Sequence, residues 1–226
     1  MPIVDLGDVQ LNYTLRGPTD APAVVFAHAL GTDQSIWDAV INALPENLRI
    51  LTFDMRGHGA SSVPDAPYSM GTLIRDTERL MEVCEIRDSL FIGLSIGGMI
   101  AQGLAVKRLD LIRALVLSNT TAKIGTPEIW ARRMDAVRAN GLNAILDDTM
   151  QRWFPRRYLQ SGAHLATQRR VQKTSVEGYL GCCAAIAGTD FYTPTSGLRL
   201  PVLGIAGSDD GSTPPDLVRE TADLIP

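Results

Sequence analysis

A chain of 226 residues, 45% hydrophobic and 20% charged, is long enough for one domain carrying an insertion and apolar enough to bury a full core. Its glycines and prolines follow no period and its charges are of mixed sign, which excludes collagenous, low-complexity and disordered chains. A formal net charge of -4 argues against nucleic acid as a partner, and no apolar run approaches the length of a membrane span.

The N-terminus, Met1 to Asp8, has no basic n-region and no long apolar h-region, so a secretory leader is not expected. Three cysteines, Cys84, Cys182 and Cys183, make neither a disulfide framework nor a metal-ligand spacing, and read as reduced core thiols of a cytoplasmic protein. Val9, Leu11, Tyr13 and Leu15 alternate with polar residues, the pattern of a half-buried strand. With Ile3–Leu6 it suggests a hairpin, for which Gly17-Pro18-Thr19-Asp20 is the expected turn. Continuous apolar runs at 23–27, 49–53, 90–92, 114–117 and 202–206 predict strands buried on both faces. Helical patterns separate them at 36–44, at 70–84 behind Ser69 as N-cap, at 96–106, and at 216–224 behind Pro214-Pro215. Strands alternating with helices predict the α/β class, with a mostly parallel, doubly wound sheet.

One segment breaks the alternation. From 123 to 190 there are helical patterns, at 127–139, 141–152 and 174–187, and no strand. The expected organisation is therefore a sheet core in two parts, 1–122 and 191–226, with a helical cap at 123–190. Residues 120–190 carry a net charge of +4 and the remainder carries -8. A basic cap over an acidic body favours a small anionic ligand, although solvated helix faces would give the same count.

Four motifs follow strands. Gly93-Leu94-Ser95-Ile96-Gly97-Gly98 lies between a strand and an apolar helix, the context of a nucleophile elbow. There the serine sits on a sharp turn, flanking glycines remove side chains that would clash, and the N–H of Ile96 faces a developing oxyanion. His28-Ala29-Leu30-Gly31 offers a second oxyanion donor in the Leu30 N–H, with His28 shaping the loop. Asp54-Met55-Arg56-Gly57-His58-Gly59 reads as scaffold, in which Asp54 and Arg56 brace a tight loop through an ion pair or hydrogen bonds. In Gly207-Ser208-Asp209-Asp210, Asp209 and Asp210 compete as the carboxylate that would orient a histidine.

Taken together, the motifs resemble the α/β-hydrolase superfamily, in order and over the whole chain. In the last motif the resemblance assigns the acid to Asp210. Leu30-Gly31-Thr32-Asp33 with Trp37-Asp38, Gly178-Tyr179 with Cys183-Ala184-Ala185-Ile186, and Thr213-Pro214-Pro215 resemble the 3-oxoadipate enol-lactonases of the β-ketoadipate pathway. The doubled glycine after Ser95 is also similar to cofactor-free haloperoxidases and small esterases. The resemblance implies an acyl-enzyme on Ser95, an oxyanion hole at Leu30 and Ile96, a carboxylated lactone as substrate and no cofactor. Arg132, Arg133 and Trp153 are candidates for holding the carboxylate.

The resemblance also implies a triad histidine after Asp210, and only 16 residues follow it. His28, His58 and His164 do not match that position. The expectation is that the last strand, the catalytic loop and the last helix lie outside this chain, leaving a sheet edge open to self-association. A lineage using His164 and a binding protein without catalysis are the alternatives.

Overall fold

The computed structural model describes residues 2–226. Two short strands, β1 (Ile3–Asp5) and β2 (Gln10–Arg16), open the chain as an antiparallel hairpin. Its turn lies at Leu6–Val9, where the Leu6 N–H donates to the Val9 carbonyl. The expected turn at Gly17-Pro18 instead leads from β2 into β3 (Ala23–Ala27), because β2 pairs antiparallel with β4 (Arg49–Phe53) rather than with the next strand in sequence. Between β3 and β4 the expected helix at 36–44 is shorter. A 3-10 turn over Gln34–Trp37, capped by Asp33, runs into α1 (Asp38–Ile41).

The rest of the core alternates strand and helix. In order it is α2 (Met70–Val83), β5 (Ser89–Leu94), α3 (Ile96–Lys107) and β6 (Ile112–Ser118). Then follow only helices: α4 (Pro127–Asn140), α5 (Leu146–Trp153), α6 (Arg156–Gln160), α7 (Leu165–Lys173), α8 (Val176–Ala187) and α9 (Tyr192–Ser196). The pattern expected over 174–187 is thus α8 alone, entered through Ser175 as N-cap, while α6, α7 and α9 are helices that periodicity did not reveal. Strand β7 (Val202–Ile205) and α10 (Pro215–Asp223) complete the described chain.

The seven strands stand in the order β1-β2-β4-β3-β5-β6-β7, parallel from β4 through β7. β3 and β4 are buried at every residue, as unbroken apolar runs in the middle of a parallel sheet require. α3 is nearly as buried, with ten of its twelve residues inside. β7 has the apolar run of a strand buried on both faces, but among the described residues it pairs only with β6, and Leu203 and Ile205 are 56% and 46% exposed, the open sheet edge expected from the sequence.

Behind the sheet's carboxyl edge, the loop after β4 is tied down by charge. Asp54 and Arg56 do not pair with each other. Asp54 accepts from Asn12 Nδ2 at 2.7 Å and from the N–H groups of Gln34 and Ala60. Arg56 forms a two-point pair with Asp76 of α2, at 2.5 and 2.7 Å, and reaches Asp8 at 3.0 Å. Arg56 and Asp76 are both buried, whereas Asp8 is half exposed. Replacing Asp76 with alanine leaves a buried guanidinium short of its main counter-charge and should cost about 3–5 kcal/mol. Asp8→Ala should cost no more than about 1 kcal/mol. Chemical denaturation of both variants checks this ranking, and equal losses would refute it.

Candidate active site

Ser95 sits between the last residue of β5 and the first of α3, with φ +56° and ψ -119°. For a residue with a side chain that conformation is strained by roughly 1–3 kcal/mol, and such strain persists only where its surroundings over-determine it. They do here. The Ser95 N–H donates to the Ser118 carbonyl at 3.1 Å, and the Ser95 carbonyl accepts from the Gly98 N–H at 2.8 Å and from Thr120 Oγ1 at 2.7 Å. A side chain on Gly93 would strike the backbone at Gly97, and one on Gly97 would strike the backbone of Ala27. The two glycines let the elbow, α3 and β3 close on one another.

Opposite the elbow, the turn after β3 presents Leu30. Gly31 holds φ +75°, and its N–H donates to His58 Nε2 at 2.9 Å. The Met55 N–H donates to His28 Nε2 at 3.0 Å. Each imidazole is thereby an acceptor at Nε2 and a donor at Nδ1, to the carbonyl of Ala29 from His28 and of Arg56 from His58. Both rings are neutral. Burial lowers the pKa of His28, and burial with the neighbouring His28 pushes His58 down to about 3. With both nitrogens engaged, neither ring is placed to take a proton from Ser95. Among the described residues, the N–H groups of Leu30 and Ile96 have no protein acceptor, which leaves them for an oxyanion.

Asp210 rather than Asp209 is the held carboxylate. It accepts from Asn119 Nδ2 at 2.6 Å, Thr213 Oγ1 at 2.9 Å, and the N–H groups of Ser212 and Thr213 at 2.7 and 3.1 Å. Asp209 is exposed. Asn119, missed in the sequence, stands just past β6 in the left-handed region, φ +43°. An asparagine directly after a buried strand was its one available signal.

Ser95 borders two cavities. The larger, about 480 Å³, has Ser95 and Leu30 on its floor and Trp130, Arg132, Arg133 and Trp153 on its cap side. Arg152 and Asp148 also line it, so three guanidinium groups face one carboxylate. The arginines differ. Arg132 is exposed, whereas Arg133 is half buried, donates to Tyr179 Oη at 2.8 Å and Thr149 Oγ1 at 2.6 Å, and among the described residues has no acidic side chain within ion-pair distance. The second cavity, about 370 Å³, is bordered by Ser95, Asn119, Asp210 and Thr213 together with Ile36, Trp153 and Phe154. Ser95 and Asp210 therefore face a common space. His164, at the N-cap of α7, lines neither cavity.

The site thus joins a strained serine at a strand-to-helix turn, two backbone N–H groups without a protein acceptor among the described residues, and a held carboxylate, all at the carboxyl edge of a parallel sheet, and the α/β hydrolase fold family profile matches residues 22–226. The chain belongs to that family. It is an ester-bond hydrolase, similar to 3-oxoadipate enol-lactonase 2 of Acinetobacter baylyi, with 35% identity over 91% of this chain and 78% of that one. The crystal structure of the enol-lactonase from Burkholderia xenovorans superimposes with a TM-score of 0.94 at 36% identity, covering 99% of this chain and 88% of that one. A non-heme chloroperoxidase of Streptomyces lividans is 28% identical over 94% of this chain and 83% of its own. No helix among the described residues is long and apolar enough to cross a membrane.

The two neutral histidines make stability acid-sensitive. His58 holds its proton only below about pH 3 when folded, against an ordinary value of 6.5, so the unfolded chain binds more protons between these limits. Stability is complete above about pH 6.5 and falls as the pH drops toward 3, by at most about 1.4 kcal/mol per pH unit for each ring. His58→Gln should lose less stability between pH 7 and pH 4.5 than the parent, as read by urea denaturation. Identical losses would remove His58 as the cause.

Proposed function

We propose that the chain opens a carboxylated enol-lactone, the reaction of 3-oxoadipate enol-lactone to 3-oxoadipate, through an acyl-enzyme on Ser95. The observation that carries this is the half-buried Arg133 guanidinium. It faces the Ser95 cavity, is fixed by two neutral partners and, among the described residues, forms no ion pair with a carboxylate. A charge held in that way is suited to an anionic group on the ligand. Arg132 and Arg152 add to the positive field at the cavity wall, and Trp153 offers an apolar face to the ring.

The chemistry follows from the geometry. Arg133 holds the carboxylate at the cap end while the lactone carbonyl lies over Ser95. Ser95 Oγ forms a bond to the carbonyl carbon as its proton leaves to a base on the Asp210 side. The Leu30 and Ile96 N–H groups take the oxyanion, and losing one such donor typically costs about 100–1,000-fold in rate. The ring C–O bond breaks, the enolate oxygen recovers the proton, and the enol ketonises, which draws the step forward. Water then attacks the acyl carbon, giving its proton to the same base, and Ser95 leaves as the hydroxyl. The steps use side chains, backbone amides and water. Three buried free thiols suit a reducing cytoplasm.

Turnover of the carboxylated enol-lactone against p-nitrophenyl acetate tests the substrate reading. A strong preference for the acetate would replace it with a general esterase. Ser95→Ala should abolish both activities. Arg133→Gln should raise KM for the lactone about 10–100-fold and leave kcat/KM for the acetate nearly unchanged, because a hydrogen bond to a charged group is worth about 1.5–3 kcal/mol.

A further inference from the structure

We infer that a cavity at the amino edge of the sheet, built around Arg49, is a binding site for a small oxyanion. It lies at the opposite end of the strands from Ser95 and rests on no reading of the substrate. Arg49 opens β4, Ala23 opens β3, Asp88 immediately precedes β5, and Arg113 follows the first residue of β6. Because β4, β3, β5 and β6 are parallel neighbours in that order, these positions stand side by side along one edge. Together they line a space of about 250 Å³.

Two arginines are buried among the described residues, and their surroundings differ. Arg56 has its charge met by Asp76 and Asp8. Arg49 is only 8% exposed, yet among the described residues it forms no ion pair, and its guanidinium makes a single hydrogen bond, from Nη2 to the Cys84 carbonyl at 2.9 Å. Its Nε is buried without an acceptor. A guanidinium is a donor at every nitrogen, and a buried charge without a counter-charge is costly. An oxyanion in the cavity supplies the missing charge and the missing acceptors at once, in the planar fork geometry that guanidinium groups favour. Arg87 and Arg113 add two exposed guanidinium groups to the same wall. Three carboxylates also reach it. Asp88 is paired with Arg113 at 3.3 Å, whereas Asp20 and Glu85 are exposed, where water screens them. By count the wall is neutral, but its one buried charge is positive, and buried charges are screened least. Inorganic phosphate and the carboxylate head of an organic acid share the chemistry that this wall recognises.

The test is a titration of the ¹⁵N-labelled chain, at constant pH and ionic strength, with sodium phosphate and separately with sodium acetate. The two arms tell a phosphoryl ligand from a carboxylate one. The readout is the Nε–H resonance of Arg49, assigned through its side-chain correlations. The expected result is a shift of that resonance that saturates with one of the anions, half-complete at or below about 10 mM. The backbone amides of Ala23, Glu85 and Asp88 should move with the same midpoint. Arg87→Gln and Arg113→Gln alter exposed side chains and should each raise the midpoint about two- to fivefold. Arg49→Met removes the unpaired charge and keeps an apolar stem, and should silence the response of those amides. Arg133→Gln should leave the midpoint unchanged, since that side chain belongs to the Ser95 cavity. A drift that stays linear in both anions would overturn the proposal, and this outcome needs no variant. So would saturation that persists in Arg49→Met, or a response that disappears in Arg133→Gln. If the Arg49 site saturates as expected while the enol-lactone is not opened, the oxyanion site stands and the lactone reading fails.

Discussion

The backbone of Ser95 is the constraint on which the rest of the site depends. A serine at φ +56° places its hydroxyl above the sheet edge only because β3, β5, β6 and α3 crowd the turn from every side. Gly93 and Gly97 remove the side chains that would hold those elements apart, and α3 is buried along almost its whole length to keep its first turn in place. Packing at native density transmits such a restraint rigidly, since a core close-packed like an organic crystal has no slack to relax the turn. The strain of roughly 1–3 kcal/mol at one residue is thus offset by the burial of an entire helix.

Two further loops are fixed to the elbow by polar contacts. The tripeptide after β6 serves both ends of the site. The Ser118 carbonyl and the Thr120 hydroxyl grip Ser95, and Asn119 between them grips Asp210. On the other side, the turn after β3 is held from behind by His58, whose loop is held in turn by Asp54 and by the Arg56–Asp76 pair. His58, Asp54, Arg56 and Asp76 are buried and hydrogen-bonded, so each has lost little by leaving water. The network explains why so many polar residues lie beneath the floor of the Ser95 cavity.

Much of this was legible in sequence, and the rest was hidden for identifiable reasons. The buried strands announced themselves as unbroken apolar runs, and the Ser95 elbow as glycines at fixed offsets after one of them. The hairpin turn was misplaced because Gly17-Pro18 is the stronger local turn signal, while the true turn at Gly7-Asp8 depends on β1 pairing back onto β2. Helices α6 and α7 escaped because they are short and mostly exposed, so no apolar period marks them. β7 has the composition of an interior strand and an edge position, and the motif order had already implied that open edge. Asp54 and Arg56 invited pairing by proximity, but their partners lie 42 and 20 residues away, beyond any local rule.

The charge division acquires a meaning once the cavities are placed. Counted along the chain, a cap at +4 over a remainder at -8 described only composition. In space most of the cap's basic residues lie on open helix faces, where water screens them and each contributes little. Arg133 is different because its partners are a phenol and a hydroxyl, so its full charge remains available while its position does not. Tyr179 is itself buried, which raises its pKa and keeps it a neutral partner that does not cancel the guanidinium. The acidic body beneath carries its one site carboxylate, Asp210, on the other side of Ser95. The two cavities that meet at Ser95 therefore differ in charge, with guanidinium groups on the cap side and the Asp210 carboxylate on the other.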